Sequence, residues 1–222
     1  INNIKIEFVD VDKFNNFLEK KKNIHNENLV SIIIPVYNDE KNIIKAIKSV
    51  INQTYFNWEL VIVDDCSMDK TYDIVNNFIK GFQKNIILIR NKENMGTYKS
   101  INEGLLITDG KFVTVLGSDD IFHERKIENQ AMILINDNDN NCKGVLCGIS
   151  RDNKYCNNVS SLMFRRKIID EIGYYENARI GCDTELYQRI IKIYGTNSLC
   201  NIPKILYIAM KREESLTTSL ST

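Results

Sequence analysis

Residues 110–120 read GKFVTVLGSDD, and this stretch decides the fold. Residues 112–116 are a short apolar run rich in β-branched side chains, the pattern of a buried strand. The run stops abruptly. Gly117 and Ser118 make a tight corner, and Asp119 and Asp120 follow at once. In open α/β sheets, ligands bind beyond the carboxyl ends of the strands. Two adjacent carboxylates there are hard oxygen donors, suited to a divalent cation that also holds phosphate oxygens. An Asp after a strand is also an ordinary turn former or helix cap. The pair therefore takes its weight from its surroundings.

Working outward, the same rhythm recurs upstream. Residues 30–34 form an apolar strand, which Pro35 is expected to end because Pro cannot donate to a central ladder. Asn38 or Asp39 can cap the next helix, whose apolar face is Ile43, Ile44, Ile47, Val50 and Ile51. A second strand over 58–63 ends in Asp64 and Asp65. Ser67 or Asp69 then starts a helix that turns Ile74, Val75, Phe78 and Ile79 to the core. A third strand covers 86–89, and a helix covers 97–107 before the turn at Asp109 and Gly110. This order predicts an α/β fold with a mostly parallel, Rossmann-like sheet, right-handed crossovers and helices on both faces. Its carboxyl edge carries Tyr37 and Asn38, Asp64 and Asp65, and Asp119 and Asp120. Three polar clusters at three strand ends share one rim.

Downstream the pattern is less regular. A helix is expected over 124–135, an Asn/Asp-rich surface loop over 136–141, and strands over 145–149 and 160–164. A short helix follows over 165–172, then a loop carrying Tyr174, Tyr175 and Arg179. A helix begins at Asp183 with Leu186, Ile190 and Ile193 as its core stripe, and the last strand covers 205–210. Residues 1–28, polar toward their end, read as an N-terminal extension or linker to the domain at 29–222.

Bulk properties narrow the function. The chain has 222 residues and is 43% hydrophobic, enough for one domain with a real core. Lys+Arg and Asp+Glu both number 29, so there is no charge-based argument for nucleic acid or an anionic membrane as main partner. No apolar run reaches membrane-spanning length and no signal peptide opens the chain, so the expected location is cytoplasmic, at most membrane-peripheral. The first residue is Ile, which suggests a module of a longer chain with further domains as neighbours. The six Cys include no close Cys-x-x-Cys pair and read as reduced structural thiols. His25 and His123 are the only histidines, too few for a multi-His metal site.

Together these segments resemble the family 2 glycosyltransferases with the GT-A nucleotide-sugar fold, over about residues 29–218. SIIIPVYN at 31–38 looks like the opening strand and loop of that family, and VIVDD at 61–65, with Ser67 and Asp69, like its second-strand acidic motif. Asn94-Met95-Gly96 and Asn102-Glu103-Gly104 resemble its Asn-x-Gly segment and following helix. GSDD at 117–120 lies where the family carries its Asp-x-Asp metal motif, and GCDTE at 181–185, with Arg189, resembles the segment holding the catalytic base.

The resemblance implies a metal-dependent, inverting transfer of a sugar from a UDP-sugar to an acceptor hydroxyl, in glycan or polysaccharide synthesis. It implies a nucleotide-binding half at about 29–120 and an acceptor-side half at about 121–222. Mn²⁺ or Mg²⁺ would bind at Asp119 and Asp120 and stabilise the departing diphosphate. Asp183 would be the catalytic base, with Glu185 as the fallback; its bland alternative is a helix cap. Pro35, Val36 and Tyr37 would lie against the nucleobase, and Asp65 would accept from the uracil imide. Glu40 would contact the ribose or merely suit the start of its helix. Asn94 and Gly96 would let the backbone pass close to the nucleotide. Lys99, Ser118 and Asp119 are further nucleotide contacts, and Arg212, with Lys211 and residues 215–217, would reach the diphosphate.

Departures from the pattern are visible too. Gly117 replaces the first carboxylate of Asp-x-Asp, Ile101 stands where many members have a basic residue, Cys66 where Gly is usual, and Glu213 where some place a metal-binding His. They motivate an alternative function, a catalytically inactive nucleotide- or carbohydrate-binding module of a longer protein. A sugar-nucleotide-forming nucleotidyltransferase shares the fold, but its Gly-rich, Arg-containing first loop is replaced here by Pro-Val-Tyr-Asn.

Overall fold

The computed structural model describes residues 26–82, 85–151 and 154–210. The four strands of the first half, β1 (Val30–Val36), β2 (Trp58–Asp64), β3 (Ile86–Arg90) and β4 (Phe112–Val115), lie in the order β3-β2-β1-β4 and pair in parallel. Helices α1 (Ile43–Ile51), α2 (Thr71–Ile79) and α3 (Thr97–Leu106) make the crossovers between them. The rhythm read from the sequence is therefore the architecture of this half.

Beyond β4 come β5 (Ile121–Phe122), α4 (Lys126–Asn136), β6 (Gly144–Arg151), β7 (Lys154–Asn157), β8 (Met163–Arg165), α5 (Lys167–Ile172), α6 (Cys182–Tyr194) and β9 (Leu199–Ala209). Among the described residues the sheet has nine strands, in the order β3-β2-β1-β4-β8-β6-β9-β5, with β7 paired to β6. β8 runs antiparallel to β4, and β6 runs antiparallel to β8 and parallel to β9.

Alternating strand side chains feed two cores, one on each face. Ile32, Ile34, Leu60 and Ile62 pack with Ile43, Ile47 and Val50 of α1, Val75 of α2, and Ile127, Ala131 and Leu134 of α4. Ile33, Val61 and Val63 pack with Ile101 and Leu105 of α3, Ile168 of α5, and Leu186 and Ile190 of α6. Fully buried central strands explain the unbroken apolar runs in the sequence.

Several boundaries differ from the expectation, each for a physical reason. Pro35 does not end β1; the strand continues to Val36, with Pro35 opposite Val63. The Ile33 carbonyl accepts from Leu116 N, so Ile33 and Pro35 face β4, whose ladder ends at Val115. The N–H that proline lacks lies on the β4 side, and pairing with β2 runs on through Val36, whose carbonyl accepts from Asp65 N. Neither Asn38 nor Asp39 caps α1 with its side chain; the helix opens at Ile43 with Asn42 as the flanking residue. Residues 160–164 are a 3-10 turn (Val159–Ser161) followed by β8. The last strand begins at Leu199, because Pro203 and Lys204 fall in a bulge that β6 skips between Cys147 and Gly148. Ile193 is 54% exposed and lies off the core stripe. The sequence reading omitted β5 and β7, which are too short to carry a periodic signal.

Candidate active site

The loops after β1 and β2 are stapled together by side-chain bonds to backbone. Asn38 N donates to Ser67 Oγ (3.0 Å), and Asn38 Oδ1 accepts from Met68 N (2.7 Å). Asp39 N donates to Thr71 Oγ1 (2.8 Å). Glu40 N donates to Asp69 Oδ2 (3.2 Å), and Glu40 Oε2 accepts from Lys70 N (3.0 Å). Glu40 thus meets a backbone donor just ahead of α2, where a negative charge suits the helix dipole. Asn38 holds a left-handed φ of 48°, which Asn tolerates better than most residues because its short side chain bonds locally. Pro35 and Val36 are buried at the end of β1, while Tyr37 is exposed.

Asp39 ties this double loop to the corner after β4. Its carboxylate is buried and accepts from Ser118 Oγ (2.7 Å) and from Asn42 Nδ2 (2.8 Å). Neither the Asp39–Ser118 bond nor the contribution of Asn91, below, was anticipated from sequence. Their signal was positional only: each follows a strand end on the same rim.

Asp65 is buried and fully engaged. Oδ1 accepts from Asn91 Nδ2 (2.8 Å) and Met95 N (2.9 Å), and Oδ2 accepts from Gly96 N (2.7 Å). Gly96, with φ 92°, lets the chain turn from that anchor into α3, a backbone state most residues avoid. Asn94 and Lys99 are exposed on either side of it. Asp64, on the other face of β2, accepts from Ser67 N (3.2 Å) and pairs with Arg90 Nε (3.3 Å).

At the β4 corner, Asp120 Oδ2 accepts from Tyr207 Oη (2.6 Å) and Oδ1 from Met210 N (2.9 Å). Burial, and then the charge of Asp119, push the Asp120 carboxyl up to about 6, against those two bonds. A Cβ at position 117 would lie 2.7 Å from Asp120 Oδ2, so Gly117 is the residue that this placement of Asp120 admits. Among the described residues no three His, Cys, Asp or Glu side chains gather to hold a metal by themselves. Asp119 and Asp120 nevertheless fit a Mn²⁺ or Mg²⁺ ion as a partial set. They are adjacent hard donors whose mutual repulsion a cation relieves, and such ions commonly complete their shell with substrate phosphates and water.

Asp183 lies in the first turn of α6, after Gly181. Oδ1 accepts from Tyr98 Oη (3.0 Å) and from Thr184 N (2.9 Å); Oδ2 lies 3.4 Å from Ser160 Oγ. Tyr98 belongs to the first turn of α3, two residues past the Gly96 that Asp65 holds. Asp65 and Asp183 are thus joined through one helical turn. Glu185 is committed to Arg189, whose guanidinium also binds the carbonyls of Ile172, Gly173 and Tyr174. Tyr175 is buried and stacks on Tyr98 (5.8 Å between centroids), a packing role, whereas Tyr174 is exposed. Lys211, Arg212, Glu213 and residues 215–217 lie outside the described residues, as do residues 1–25 of the extension.

An α/β sheet whose carboxyl edge gathers these carboxylates is the GT-A arrangement of nucleotide-sugar enzymes. The family model for glycosyl transferase family 2 matches residues 31–191, and the chain belongs to that family. The Escherichia coli protein WfgD, named a UDP-Glc:alpha-D-GlcNAc-diphosphoundecaprenol beta-1,3-glucosyltransferase, is 40% identical over 110 residues, 50% of this chain and 42% of WfgD. TuaG of Bacillus subtilis, a putative teichuronic acid biosynthesis glycosyltransferase, is 38% identical over 102 residues, 46% of this chain and 40% of TuaG. The matched stretches span less than half the length of these relatives. The fold is shared with S. aureus TarS 1-349 in complex with UDP-GlcNAc (TM-score 0.72, 21% identity, 86% of this chain and 60% of that one). It is also shared with the mannosyltransferase PcManGT from Pyrobaculum calidifontis in complex with GDP-Man and Mn2+ (TM-score 0.70, 16% identity, 94% and 66%). No helix among the described residues is long and apolar enough to cross a membrane.

Proposed function

We propose that this domain transfers a sugar from a UDP-sugar to an acceptor hydroxyl, with inversion at the transferred carbon. The observation that carries the reading is the link from Asp65 through Gly96 and Tyr98 to Asp183, which sets a candidate base beside the nucleotide-side rim. The relative named for UDP-Glc and the neighbour bound to UDP-GlcNAc favour a UDP donor.

In this reading Pro35, Val36 and Tyr37 border the base, with Tyr37 as the free ring face. Asp65 fixes the loop bearing Asn94 and Gly96 against the nucleotide, and Glu40 and Lys99 flank it. Ser118 and Asp119 meet the ribose and phosphate, and Arg212 the diphosphate. Asp119 and Asp120 hold Mn²⁺ or Mg²⁺, which when bound supplies positive charge to the leaving diphosphate. Asp183 accepts the proton as the acceptor oxygen bonds to the sugar carbon, and the electron pair of the broken C–O bond leaves with the diphosphate. The acidic residues around Gly117 thus serve a transfer reaction despite the missing first Asp.

The test is a screen of UDP-sugars and GDP-sugars for nucleotide release with Mn²⁺, alongside thermal unfolding. UDP with Mn²⁺ is expected to raise the unfolding temperature more than GDP with Mn²⁺, and one UDP-sugar to release UDP. Binding of UDP with no release from any donor, acceptor glycans present, would favour the silent binding module.

A further inference from the structure

Asp183 is a carboxylate with two unlike oxygens. Oδ1 takes two donors, the Tyr98 phenol at 3.0 Å and the Thr184 backbone N–H at 2.9 Å. Among the described residues, Oδ2 has only Ser160 Oγ, at 3.4 Å. That hydroxyl carries one hydrogen and has a nearer acceptor, Asn158 Oδ1 at 3.1 Å. The Ser160 hydrogen therefore belongs mainly to Asn158, and Oδ2 keeps its lone pairs for an incoming group.

We infer that Tyr98 is a positioning residue that pins Asp183 through Oδ1, so that Oδ2 is the oxygen that receives the acceptor proton. The inference rests on the reading of Asp183 as base. Tyr98 is itself held firmly. Its ring stacks on Tyr175, and Tyr175 is fixed by a reciprocal pair of bonds with Asn102, one turn further along α3: Tyr175 N donates to Asn102 Oδ1 (3.1 Å) and Asn102 Nδ2 to the Tyr175 carbonyl (2.9 Å). The phenol stays a donor at any working pH, because burial and the Asp183 charge push it up to about 12. The arrangement also explains how an α3 side chain comes to serve a carboxylate far along the chain. Gly96 sets where the helix begins, and Tyr98 and Asn102, four residues apart, share the face turned to the acceptor half.

Once Oδ2 is protonated, its new O–H can donate to Ser160 Oγ while Oδ1 keeps Tyr98. The acceptor O–H bond breaks as its oxygen bonds to the sugar carbon, the bond from that carbon to the diphosphate breaks with its electron pair leaving on the diphosphate, and the proton comes to rest on Oδ2. No further reactant is needed.

The test compares Tyr98→Phe, Ser160→Ala and Asp183→Asn in the intact chain, with transfer kinetics, nucleotide binding and thermal unfolding. Tyr98→Phe keeps the ring and removes only the hydroxyl. It is expected to lower kcat by about tenfold or more, the scale of one lost hydrogen bond to a charged group, with donor KM and unfolding temperature unchanged. Ser160→Ala is expected to lower kcat less. Wild-type kcat in Tyr98→Phe would overturn the inference, as would an equal loss of donor affinity or of thermal stability, the mark of a structural role. Normal transfer by Asp183→Asn would sink the underlying assignment of the base, whatever Tyr98→Phe does.

Discussion

Asp65 and Asp183 are linked through the first turn of α3, yet they are held in different ways. Asp65 is buried and meets three donors, two of them backbone N–H groups of the 91–96 loop. Around it, Asn38, Asp39 and Glu40 bond the segment from Ser67 to Thr71, and Asp39 closes the set on Ser118. Asp183 has two donors on one oxygen and one distant hydroxyl at the other. The rim proposed for the nucleotide is cross-bonded without any ligand, while the side proposed for the acceptor keeps an oxygen in reserve. A carboxylate with a close donor on each oxygen holds a loop in shape; one whose second oxygen meets a hydroxyl at 3.4 Å is equipped to take a proton.

The strongest way to break this contrast is Asp183→Asn. Transfer is expected to fall by about 10²- to 10⁴-fold, the usual contribution of a positioned base, while UDP binding measured by calorimetry stays at the wild-type level. Unchanged transfer would leave Asp183 with only its part in the first turn of α6.

Next comes Asp120→Asn. The variant should lose the joint stabilisation by Mn²⁺ and UDP, about 2.7 kcal/mol when ligand is a hundredfold above its dissociation constant. Retention of the full Mn²⁺ and UDP shift would remove Asp120 from the metal site.

Asp65→Asn separates scaffold from contact. An amide offers one acceptor oxygen to three donors and turns an NH₂ toward at least one of them. A loss of about 1–3 kcal/mol in the ligand-free protein is expected from donors left unmet, read by denaturant unfolding. Full stability with weakened UDP binding would assign Asp65 to the base alone.

How much of this could be read in advance differs between the same two regions. The first half was legible because its strands are buried on both faces and its helices carry one apolar stripe, so period and length agree. Asp65, Asp119 and Asp120 stand where those strands stop. Pro35 misled, since whether a missing N–H ends a strand depends on which neighbour it faces, and here pairing with β2 continues on the other side. The second half mixes parallel and antiparallel pairs, and Pro203 there sits in a bulge instead of ending β9. Ser160 falls in a 3-10 turn where the sequence pattern suggested a strand. Tyr98 went unread because its partner is 85 residues away and nothing local marks the pair.

The smallest effect concerns the seam between the halves. Lys126, at the start of α4, is fully buried. Its Nζ donates to Thr114 Oγ1 of β4 (3.1 Å) and to Gln130 Oε1 (2.7 Å), and lies 4.1 Å from the Phe122 ring centroid. Gln130 in turn donates to the carbonyls of Val145 and Ser161 in the second half (2.7 and 2.8 Å). Burial lowers the Lys126 ammonium to about 8, from an ordinary 10.5. Between those values the unfolded chain holds a proton that the folded chain has released, so folding stability gains from this group as pH rises through the window. Lys126→Met has no such proton to release. From pH 8 to 9.5 wild type should therefore gain on Lys126→Met, by about 1–2 kcal/mol in denaturant unfolding. A difference that stays flat would mean that the ammonium keeps its proton, and that the seam holds a permanent charge shared between Thr114, Gln130 and the Phe122 ring.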